Sequence, residues 1–551
     1  MKGIRVLRAA VVAAAVTIAA TPPVAGAASE KRPAGGSALD WGACADGARG
    51  WDCATASVPR DYGQPRGPKW QLAVTRLPAR DGAKRIGSLF INFGGPGGDA
   101  VASLHAFGAD LLSSLNERFD LVGFDPRGVG ESKPAIDCHA NQETEGIYSK
   151  PFATPFNLDT RAFFGKVLGY QQKCLRANRD VFPYVSTANV ARDMDLLRAA
   201  VGDQKLNYLG YSYGTFLGAT YASLFPHRYR ALVLDGPLDP NQYMNKPEAA
   251  LREQSAGFER AIGRFLQACA ADQAACQGFG ARAGDDPDPW LRYDELVDEL
   301  NANPRDPGDG RVVTGDDLNF VVTGLVYAKQ AWPLIAKILA AVDSGDATLL
   351  RQWADVVWGR QDDGSYDPLT DRYFTLSASE QRYSRDAAHY FDAGDNSWGM
   401  FDHAWSNTGY VELNWGLWPI RDRSAFYGPF RAAADETPPL VVATTYDPAT
   451  TYRGALRLVR QLGNAKLVTM RGDGHTAYPG NSSCVDQAVE AYLNELKTPD
   501  GAATCKQEVP FDVPAEQVSA MLAPSAQQRA VSMLDRFRRL GPGVSPAAAG
   551  I

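Results

Sequence analysis

A serine between two glycines is the first feature of this chain that could do chemistry. Residues 210–214 read Gly-Tyr-Ser-Tyr-Gly, the G-x-S-x-G pattern of a nucleophile elbow, with Ser212 at its centre. The flanking glycines leave room for a serine on a strained turn, whose hydroxyl can attack a carbonyl carbon. The context fits, because residues 205–209 predict a short buried strand and 215–225 predict a helix.

A nucleophilic serine needs a base to take its proton and an acid to orient that base. Of the six histidines, only His475 lies in a glycine-flanked loop directly after a late predicted strand, so we expect it to be the base. His105, which follows an earlier glycine-rich loop, is the second candidate. Asp447 also follows a late predicted strand and is the preferred acid. Asp235 is its rival, because it follows an earlier strand from which an acid can reach the same histidine.

A glycine-rich loop could bind the negative charge that develops in such a reaction. Residues 94–98 read Gly-Gly-Pro-Gly-Gly directly after a predicted apolar strand at 87–93. The backbone N–H groups of such a loop are uncovered. An oxyanion hole needs donors of this kind within about 3 Å of the developing charge. A plain tight turn would explain the loop alone, but beside the serine turn the catalytic interpretation is favoured.

The elements that must position these groups alternate along the chain. Apolar segments predict further strands at 70–77, 119–124, 230–234, 439–444 and 465–470. Residues 187–201 have the spacing of an amphipathic helix. Alternating strands and helices indicate an α/β protein with a mostly parallel sheet and helices on both faces. Arg127 is expected to hold a buried carboxylate, Asp125 or a neighbour, rather than to take part in chemistry.

Between residues 241 and 437 the alternation stops, and helical and aromatic segments dominate. We expect this segment to be an inserted, mainly helical cap. It divides the core into residues 28–240 and 438–551, and the second part ends in a helical tail with its patterning at 514–539. The seven tryptophans from Trp332 to Trp418 could line a substrate pocket, although most are expected to pack the cap's own core.

The N-terminus has the composition of a secretory signal peptide, residues 1–27. Basic residues precede an apolar run at 9–20, and Ala25-Gly26-Ala27 fits the small-residue cleavage pattern. We therefore expect cleavage after Ala27 and an extracellular protein. The apolar run is too short to serve comfortably as a membrane anchor.

Eight cysteines in a secreted chain indicate disulfides. Pairing of sequence neighbours would close four local loops, although sequence alone leaves the connectivity open; the neighbours are Cys44 and Cys53, Cys138 and Cys174, Cys269 and Cys276, and Cys484 and Cys505. Because no C-x-x-C or H-x-x-x-H cluster is present, neither a metal nor a cofactor is expected.

The bulk composition is that of an ordinary globular protein. The 551 residues are 45% hydrophobic and 22% charged, with a formal net charge of −7. A basic stripe for nucleic acid is lacking, and no later segment is apolar enough for stable membrane association. The expected partners are therefore substrates alone, and we expect a monomer.

Several motifs together resemble the secreted tripeptidyl aminopeptidases of actinomycetes, which are α/β-hydrolases related to the prolyl aminopeptidases. The motifs lie at 94–98, 124–130, 210–215, 446–448 and 474–475, and the resemblance spans Trp41 to about Cys505. It implies Ser212 as nucleophile, Asp447 as acid and His475 as base. It also implies an oxyanion hole from the backbone N–H groups of Tyr213 and of a glycine near Gly95.

Departures from the family pattern concentrate above the nucleophile. This chain has Phe93 where relatives often have histidine, and Asp99-Ala100 after Gly97-Gly98 where many read Ser-Gly. Tyr390 and Trp415 stand where relatives often have two cysteines of the late cap. A differently shaped cap is therefore expected, which leaves the length and side-chain preference of the substrate open.

These features predict a secreted serine hydrolase, an aminopeptidase that releases short peptides from free N-termini through an acyl-enzyme. Tripeptides are the product that the resemblance implies. An exopeptidase must also bind the free α-amino group, which calls for a carboxylate in or below the cap. One alternative is a carboxylesterase or lipase-like hydrolase, because the same triad serves both reactions. Another is a non-catalytic binding protein that has kept the fold.

Overall fold

The computed structural model describes residues 39–281 and 287–511. The signal peptide expected at 1–27 and the helical patterning at 514–539 lie outside the described residues. Within them, ten strands form one sheet: β1 (Gly42–Ala43), β2 (Asp52–Pro59), β3 (Lys69–Leu77), β4 (Gly87–Asn92), β5 (Phe119–Phe124), β6 (Leu206–Tyr211), β7 (Tyr229–Asp235), β8 (Leu440–Tyr446), β9 (Lys466–Asp473) and β10 (Ala503–Lys506).

The sheet is mostly parallel, as the alternating pattern predicted. Its order is β1-β2-β3-β5-β4-β6-β7-β8-β9-β10. The first three strands pair antiparallel with one another, and β3 pairs antiparallel with β5; every later pair is parallel. Each residue of β4, β5 and β6 is buried, which explains their mostly apolar composition: both faces of a parallel sheet are covered.

Helices cover both faces of this sheet and fill the insertion. They are α1 (Ala100–Ser103), α2 (Ala109–Leu111), α3 (Ser113–Asn116), α4 (Thr160–Asn178), α5 (Thr187–Ala200), α6 (Tyr213–Leu224), α7 (Pro240–Asn245), α8 (Pro247–Ala271), α9 (Pro289–Ala302), α10 (Gly315–Leu325), α11 (Trp332–Asp343), α12 (Thr348–Trp358), α13 (Leu369–Glu380), α14 (Ala387–Trp398), α15 (Leu413–Leu417), α16 (Tyr452–Leu462) and α17 (Ser483–Glu495). Between β7 and β8 the described residues form helices and no named strand, so the inserted helical cap is confirmed.

Alternate residues of the central strands serve two separate apolar cores. Phe90 of β4 packs in a cluster with buried residues of α5 and α6, whereas its neighbours Leu89 and Ile91 pack in a cluster with α17. Successive strand side chains point to opposite faces, so one strand feeds both cores. The cap has its own apolar cluster, which includes Trp332 and Trp358. Those tryptophans pack the cap as the sequence predicted.

Part of the segment assigned to the first half of the core leaves the sheet and packs on the cap. Asp371 of α13 accepts hydrogen bonds from the backbone N–H of Cys138 at 3.0 Å, from Gln142 Nε2 at 2.8 Å and from the Tyr170 hydroxyl at 2.7 Å. All three donors lie between β5 and α5. Two segments of chain therefore lie over the edge of the sheet: the inserted cap, which was expected, and the segment between β5 and α5, which was not.

Arg127 holds a buried carboxylate, as expected, and that carboxylate is Asp193 rather than Asp125. Its guanidinium is buried and contacts Asp193 of α5, with Nε 2.7 Å from Oδ2 and NH2 2.5 Å from Oδ1. Asp125 instead accepts the backbone N–H groups of Val101 and Glu131. Arg127 is structural, as predicted, but it ties the end of β5 to α5 rather than to the neighbouring aspartate.

Four disulfides join the cysteines that are neighbours in sequence: Cys44–Cys53, Cys138–Cys174, Cys269–Cys276 and Cys484–Cys505. The sequential pattern closes loops in both core segments and in the cap. Among the described residues, no helix combines the length and the apolar character that a membrane crossing requires.

Candidate active site

Ser212 lies on a strained turn between β6 and α6. Its φ of 54° and ψ of −121° are unusual for a residue with a side chain. The flanking glycines are required sterically, because a β-carbon at Gly210 would lie 2.5 Å from the carbonyl oxygen of Gly214, and one at Gly214 would lie 2.7 Å from that of Asn92. The strand-turn-helix context predicted for the serine is therefore present.

His475 and Asp447 form a buried hydrogen-bonded pair at the ends of β9 and β8. Nδ1 of His475 lies 2.8 Å from Oδ2 and 2.9 Å from Oδ1 of Asp447. The carboxylate also accepts the backbone N–H groups of Ala449 and Thr450 and the Thr450 hydroxyl, all within 2.9 Å. These donors hold the carboxylate in one orientation. Sequence reasoning missed Thr450, whose only signal is its place three residues after Asp447.

The hydrogen bonds around His475 assign its tautomer. Because Nδ1 faces a carboxylate, the proton is placed on Nδ1, which leaves Nε2 as an acceptor. Nε2 is buried and has no hydrogen-bond partner within the part of the chain that the structure describes. The backbone N–H of His475 donates to the carbonyl oxygen of Tyr327 at 2.6 Å, so the cap contacts the histidine loop directly. This imidazole is oriented to accept a proton through Nε2.

Asp235, the rival acid, connects the serine turn to the histidine loop. Its backbone carbonyl accepts the N–H of Ser212 at 2.9 Å. Its carboxylate accepts the N–H groups of Ala477 at 3.0 Å and Tyr478 at 2.8 Å. Burial raises the pKa of Asp235 to about 7, although these backbone donors oppose the shift. Asp235 thus contacts backbone on both sides of the site, whereas the carboxylate on His475 belongs to Asp447.

The glycine loop after β4 lies against the serine turn. A β-carbon at Gly94, whose φ is 102°, would lie 2.9 Å from Cβ of Ser212 and 3.1 Å from the backbone nitrogen of Tyr213. Only glycine allows this approach. Gly95 and Ser212 line the same cavity. The loop and the N–H of Tyr213, the two sources of oxyanion donors that the sequence suggested, therefore adjoin Ser212.

A second buried chain of hydrogen bonds fixes the side chain of Tyr213. Its hydroxyl lies 2.5 Å from Oγ1 of Thr187, which donates to Oε1 of Glu380 at 2.7 Å. The other carboxylate oxygen of Glu380 accepts the backbone N–H of Thr187. Burial raises the pKa of Glu380 to about 8 against the effect of these donors. No sequence pattern pointed to this series of hydrogen bonds, which joins α5, α6 and α13.

His105, the second candidate, and the surface residue His227 make their contacts elsewhere. His105 lies beside the Cys44–Cys53 disulfide, with Nε2 2.7 Å from Oγ1 of Thr75 and Nδ1 2.6 Å from Oδ2 of Asp46. His227 lies at the surface, with Nδ1 3.3 Å from Oε1 of Glu436. Their contacts are thus with groups other than Ser212 and Asp447.

A cavity of about 320 Å³ lies between Ser212 and the cap. Gly95, Ser212 and Thr450 form its core side. The opposite side is aromatic and is formed by Tyr148, from the segment between β5 and α5, and by residues of the cap: Tyr243, Phe320, Tyr327, Trp353, Tyr373, Tyr383 and Trp415. Among the described residues, no lining side chain carries a full charge at neutral pH. The walls therefore suit apolar and neutral groups.

Comparison with known families agrees with this architecture. The family described as alpha/beta hydrolase fold matches residues 88–315, and the family described as TAP-like protein matches residues 413–505. The first match runs from β4 into the inserted segment, and the second runs from the end of that segment into β10.

Three relatives align over most of the chain. Serine protease Hip1 of Mycobacterium tuberculosis is 34% identical over 82% of this chain and 87% of its own length. Carboxylesterase B of the same organism is 35% identical over 88% of this chain and 95% of its own length. Tripeptidyl aminopeptidase of Streptomyces lividans is 30% identical over 87% of this chain and 89% of its own length. The chain therefore belongs to the tripeptidyl aminopeptidase-like family of α/β-hydrolases, and it is a serine hydrolase of the peptidase type.

Proposed function

We propose that this protein is a secreted serine aminopeptidase that releases short peptides, chiefly tripeptides, from free N-termini. The observation that carries the proposal is the position of Ser212 at the floor of a cavity bounded by the cap. A volume of about 320 Å³ is small for a ligand pocket and favours a short acyl group over a continuous chain. The relative named tripeptidyl aminopeptidase supports three residues as the product length.

In this mechanism Ser212 attacks the scissile carbonyl while Nε2 of His475 accepts its proton. Asp447 holds the tautomer of His475 and stabilises the imidazolium that forms. The backbone N–H groups of Tyr213 and of a glycine near Gly95 bind the tetrahedral oxyanion. The imidazolium then protonates the leaving amine, and water hydrolyses the acyl-enzyme on Ser212. The steps require no cofactor or metal.

Free and N-acetylated forms of the same peptides test the exopeptidase assignment. We expect the enzyme to release N-terminal tripeptides from the free forms only, detected by mass spectrometry, and Ser212→Ala to abolish that release. Equal cleavage of the two forms would overturn the assignment. A fluorophosphonate probe, which should label Ser212 in the native enzyme but not in Ser212→Ala, checks that the nucleophile is correctly assigned.

Secretion and a monomeric state are part of the proposal. The N-terminal sequence pattern and the four disulfides support export, because disulfides persist in oxidising compartments. N-terminal sequencing of protein from the culture medium should begin at Ala28. Protein retained inside the cells with an intact N-terminus would contradict export.

A carboxylesterase is the second candidate, and two observations favour it. The cavity lining is uncharged, and one relative is named carboxylesterase B. The acyl side of the substrate separates the candidates. An esterase would hydrolyse short acyl esters with or without a free amine on the acyl side, whereas the proposed aminopeptidase requires that amine in both ester and amide substrates.

A further inference from the structure

Two buried residues hold the side chain of Tyr213 at its tip. The Tyr213 hydroxyl lies 2.5 Å from Oγ1 of Thr187, the first residue of α5. The hydroxyl of Thr187 in turn donates at 2.7 Å to Oε1 of Glu380, the last residue of α13. All three side chains are buried, so water is not at hand to replace either hydrogen bond if it is lost.

The contact between the two hydroxyls does not depend on the charge of Glu380. When its carboxylate is ionised, Thr187 donates its single hydroxyl proton to it and accepts the proton of Tyr213. When the carboxyl group is protonated, it can donate to Thr187, which then donates to Tyr213. The hydrogen bond between Thr187 and Tyr213 therefore persists in both states, although burial raises the pKa of Glu380 to about 8.

Glu380 also fixes the backbone of Thr187. Its Oε2 accepts the N–H of Thr187 at 2.8 Å, one of the N–H groups at the start of α5 that have no acceptor within the helix. Capping of α5 explains that hydrogen bond. It does not explain the second one, from the Thr187 hydroxyl, or the contact of that hydroxyl with Tyr213.

Tyr213 is the residue whose backbone N–H is the proposed oxyanion donor. It begins α6 directly after Ser212, and the first N–H groups of a helix have no acceptor within it, so α6 alone does not fix this N–H. The ring packs against Phe216 and Tyr243, with centroids 5.9 Å and 6.3 Å away. Because apolar contacts are non-directional, the hydrogen bond at the hydroxyl is the contact that sets the orientation of the residue.

The helix that carries Glu380 also contacts the other proposed source of oxyanion donors. A β-carbon at Gly97, whose φ is 103°, would lie 2.5 Å from Cβ of Arg372 and 3.2 Å from the backbone nitrogen of Tyr373. Both residues belong to α13, and Tyr373 and Ser377 of the same helix line the cavity. The helix α13 therefore lies against the glycine loop near its start and supports Thr187 at its end.

We propose that Thr187, held by Glu380 of the cap, is a positioning residue for the oxyanion hole: it fixes the hydroxyl of Tyr213 and thereby the direction of the Tyr213 N–H. This role rests on the proposed function, which assigns that N–H as a donor. An oxyanion donor acts on the transition state more than on the bound substrate. Loss of the support should therefore lower kcat and leave KM nearly unchanged.

Thr187→Val and Tyr213→Phe each remove the contact between the hydroxyls and keep the N–H of Thr187 for Glu380. On a tripeptide coumarin amide with a free N-terminus, we expect kcat to fall about 10-fold in each, with KM within about 2-fold of the wild type, because the donor is misdirected rather than deleted. Thr187→Ser restores the hydroxyl and should recover most of kcat. The matched control is Tyr221→Phe, because Tyr221 is a buried residue of α6 whose hydroxyl donates to Asp195 of α5 at 3.0 Å. It should lower the stability by a similar amount and leave kcat unchanged.

A pair of inhibitors measures the oxyanion hole directly. In a tripeptide trifluoromethyl ketone, Oγ of Ser212 bonds to the carbonyl carbon, the serine proton passes to Nε2 of His475, and the carbonyl oxygen becomes the oxyanion. The corresponding alcohol binds in the cavity without reaction. We expect Thr187→Val and Tyr213→Phe to weaken inhibition by the ketone about 10-fold and to leave inhibition by the alcohol unchanged.

The outcomes separate this role from the proposed function. Losses of kcat no larger than that of Tyr221→Phe would overturn the role of Thr187, as would a loss in Thr187→Ser equal to that in Thr187→Val. Equal weakening of the ketone and the alcohol would show a disturbed cavity and overturn it as well. If the wild type hydrolyses p-nitrophenyl esters but not the tripeptide amide, the aminopeptidase function fails, and kcat of the same variants on the ester decides the role of Thr187. If the wild type hydrolyses neither substrate, both fail together.

Discussion

The carboxyl edge of the sheet and the cap cavity are built by different means. At the edge, Ser212, Asp447 and His475 each follow a parallel strand, and backbone groups hold each in place. In the cavity, the walls are side chains from several helices of the insertion, among them α7, α8, α10, α12, α13 and α15, and from the segment between β5 and α5. The chemistry thus depends on short stretches of sequence, whereas substrate selection depends on tertiary packing.

This contrast implies that changes at the two regions affect different measurements. A change at the strand ends should lower kcat, because it disturbs the groups that we propose act on the transition state. A change in the cap should alter KM, the substrate preference or the stability of the cap. The predictions below test that division, beginning with the largest expected effect on activity.

Replacing each of the two candidate acids by asparagine, one at a time, tests whether Asp447 alone orients the base. Asp447→Asn cannot hold the Nδ1–H tautomer of His475, so we expect kcat to fall about 10⁴-fold. Asp235→Asn keeps one oxygen for the N–H groups of Ala477 and Tyr478, and we expect a loss below about 100-fold. Steady-state rates on a free-N-terminal tripeptide coumarin amide measure both. A larger loss for Asp235→Asn would make Asp235 the acid.

Gly94→Ala tests the contact between the glycine loop and the serine turn. The new β-carbon would lie 2.7 Å from the carbonyl oxygen of Tyr211 and 2.9 Å from Cβ of Ser212. We expect the loop to move and kcat to fall about 10²- to 10³-fold, the effect of losing an oxyanion donor. The same assay measures this loss.

Gly345→Ala is its matched control, because Gly345 has a φ of 99° but open space around its α-carbon. It should lower the free energy of unfolding by about 1 kcal/mol and leave kcat unchanged. Full kcat in Gly94→Ala would contradict the placement of the oxyanion hole.

The positions at the sheet edge could be anticipated because each belongs to a short local pattern. Ser212 lies in a strand-turn-helix motif with glycines at fixed offsets, and Asp447 and His475 directly follow apolar strands. In a parallel sheet, residues that follow neighbouring strands meet at one edge. Local pattern and sheet geometry therefore sufficed, and no knowledge of distant contacts was needed.

The cavity could not be anticipated in the same way. Tyr148 comes from the segment between β5 and α5, Tyr243 from α7 and Tyr373 from α13, and only the folded chain brings them together. The partner of Arg127 shows the same limit. Asp193 lies 66 residues away, and the sequence suggested only Asp125 or an unspecified neighbouring carboxylate. Contacts between distant helices depend on packing angles that local periodicity does not encode.

Thr450→Val tests a smaller effect at the sheet edge. The hydroxyl of Thr450 donates to Oδ2 of Asp447 at 2.9 Å and lies 3.2 Å from Nδ1 of His475. Valine keeps the shape but removes this donor, so we expect kcat to fall about 10-fold with KM unchanged. Thr451→Val is the neighbouring control, because its hydroxyl contacts Glu253 and caps α16. Thr451→Val should lower the free energy of unfolding by about 1 kcal/mol without lowering kcat. Equal kcat values for the two variants would exclude a positioning role for Thr450.

The smallest effect on activity is expected deep in the cap, at His403. Its Nδ1 lies 2.8 Å from Oε1 of Glu259 and its Nε2 2.8 Å from Oδ1 of Asp294, joining α8, α9 and the loop after α14. Burial lowers the pKa of His403, but the two carboxylates outweigh it and raise the pKa to about 9.

Because the pKa of His403 is higher in the folded than in the unfolded protein, its ion pairs with Glu259 and Asp294 stabilise the fold fully below the unfolded-state pKa of about 6.5. This stabilisation is lost as the pH rises through about 9. The gain is at most about 3 kcal/mol, and less because Asp294 is partly exposed. Thermal unfolding of the wild type and His403→Gln between pH 6 and pH 10 should show a difference that shrinks from about pH 6.5 and is nearly gone above pH 9, with kcat at pH 7 nearly equal. A wild-type advantage that persists at pH 10 would show that His403 stabilises the cap by packing rather than by charge. A large loss of kcat in His403→Gln would show that a change deep in the cap affects the catalytic rate, so that the division between the cap and the sheet edge would not hold.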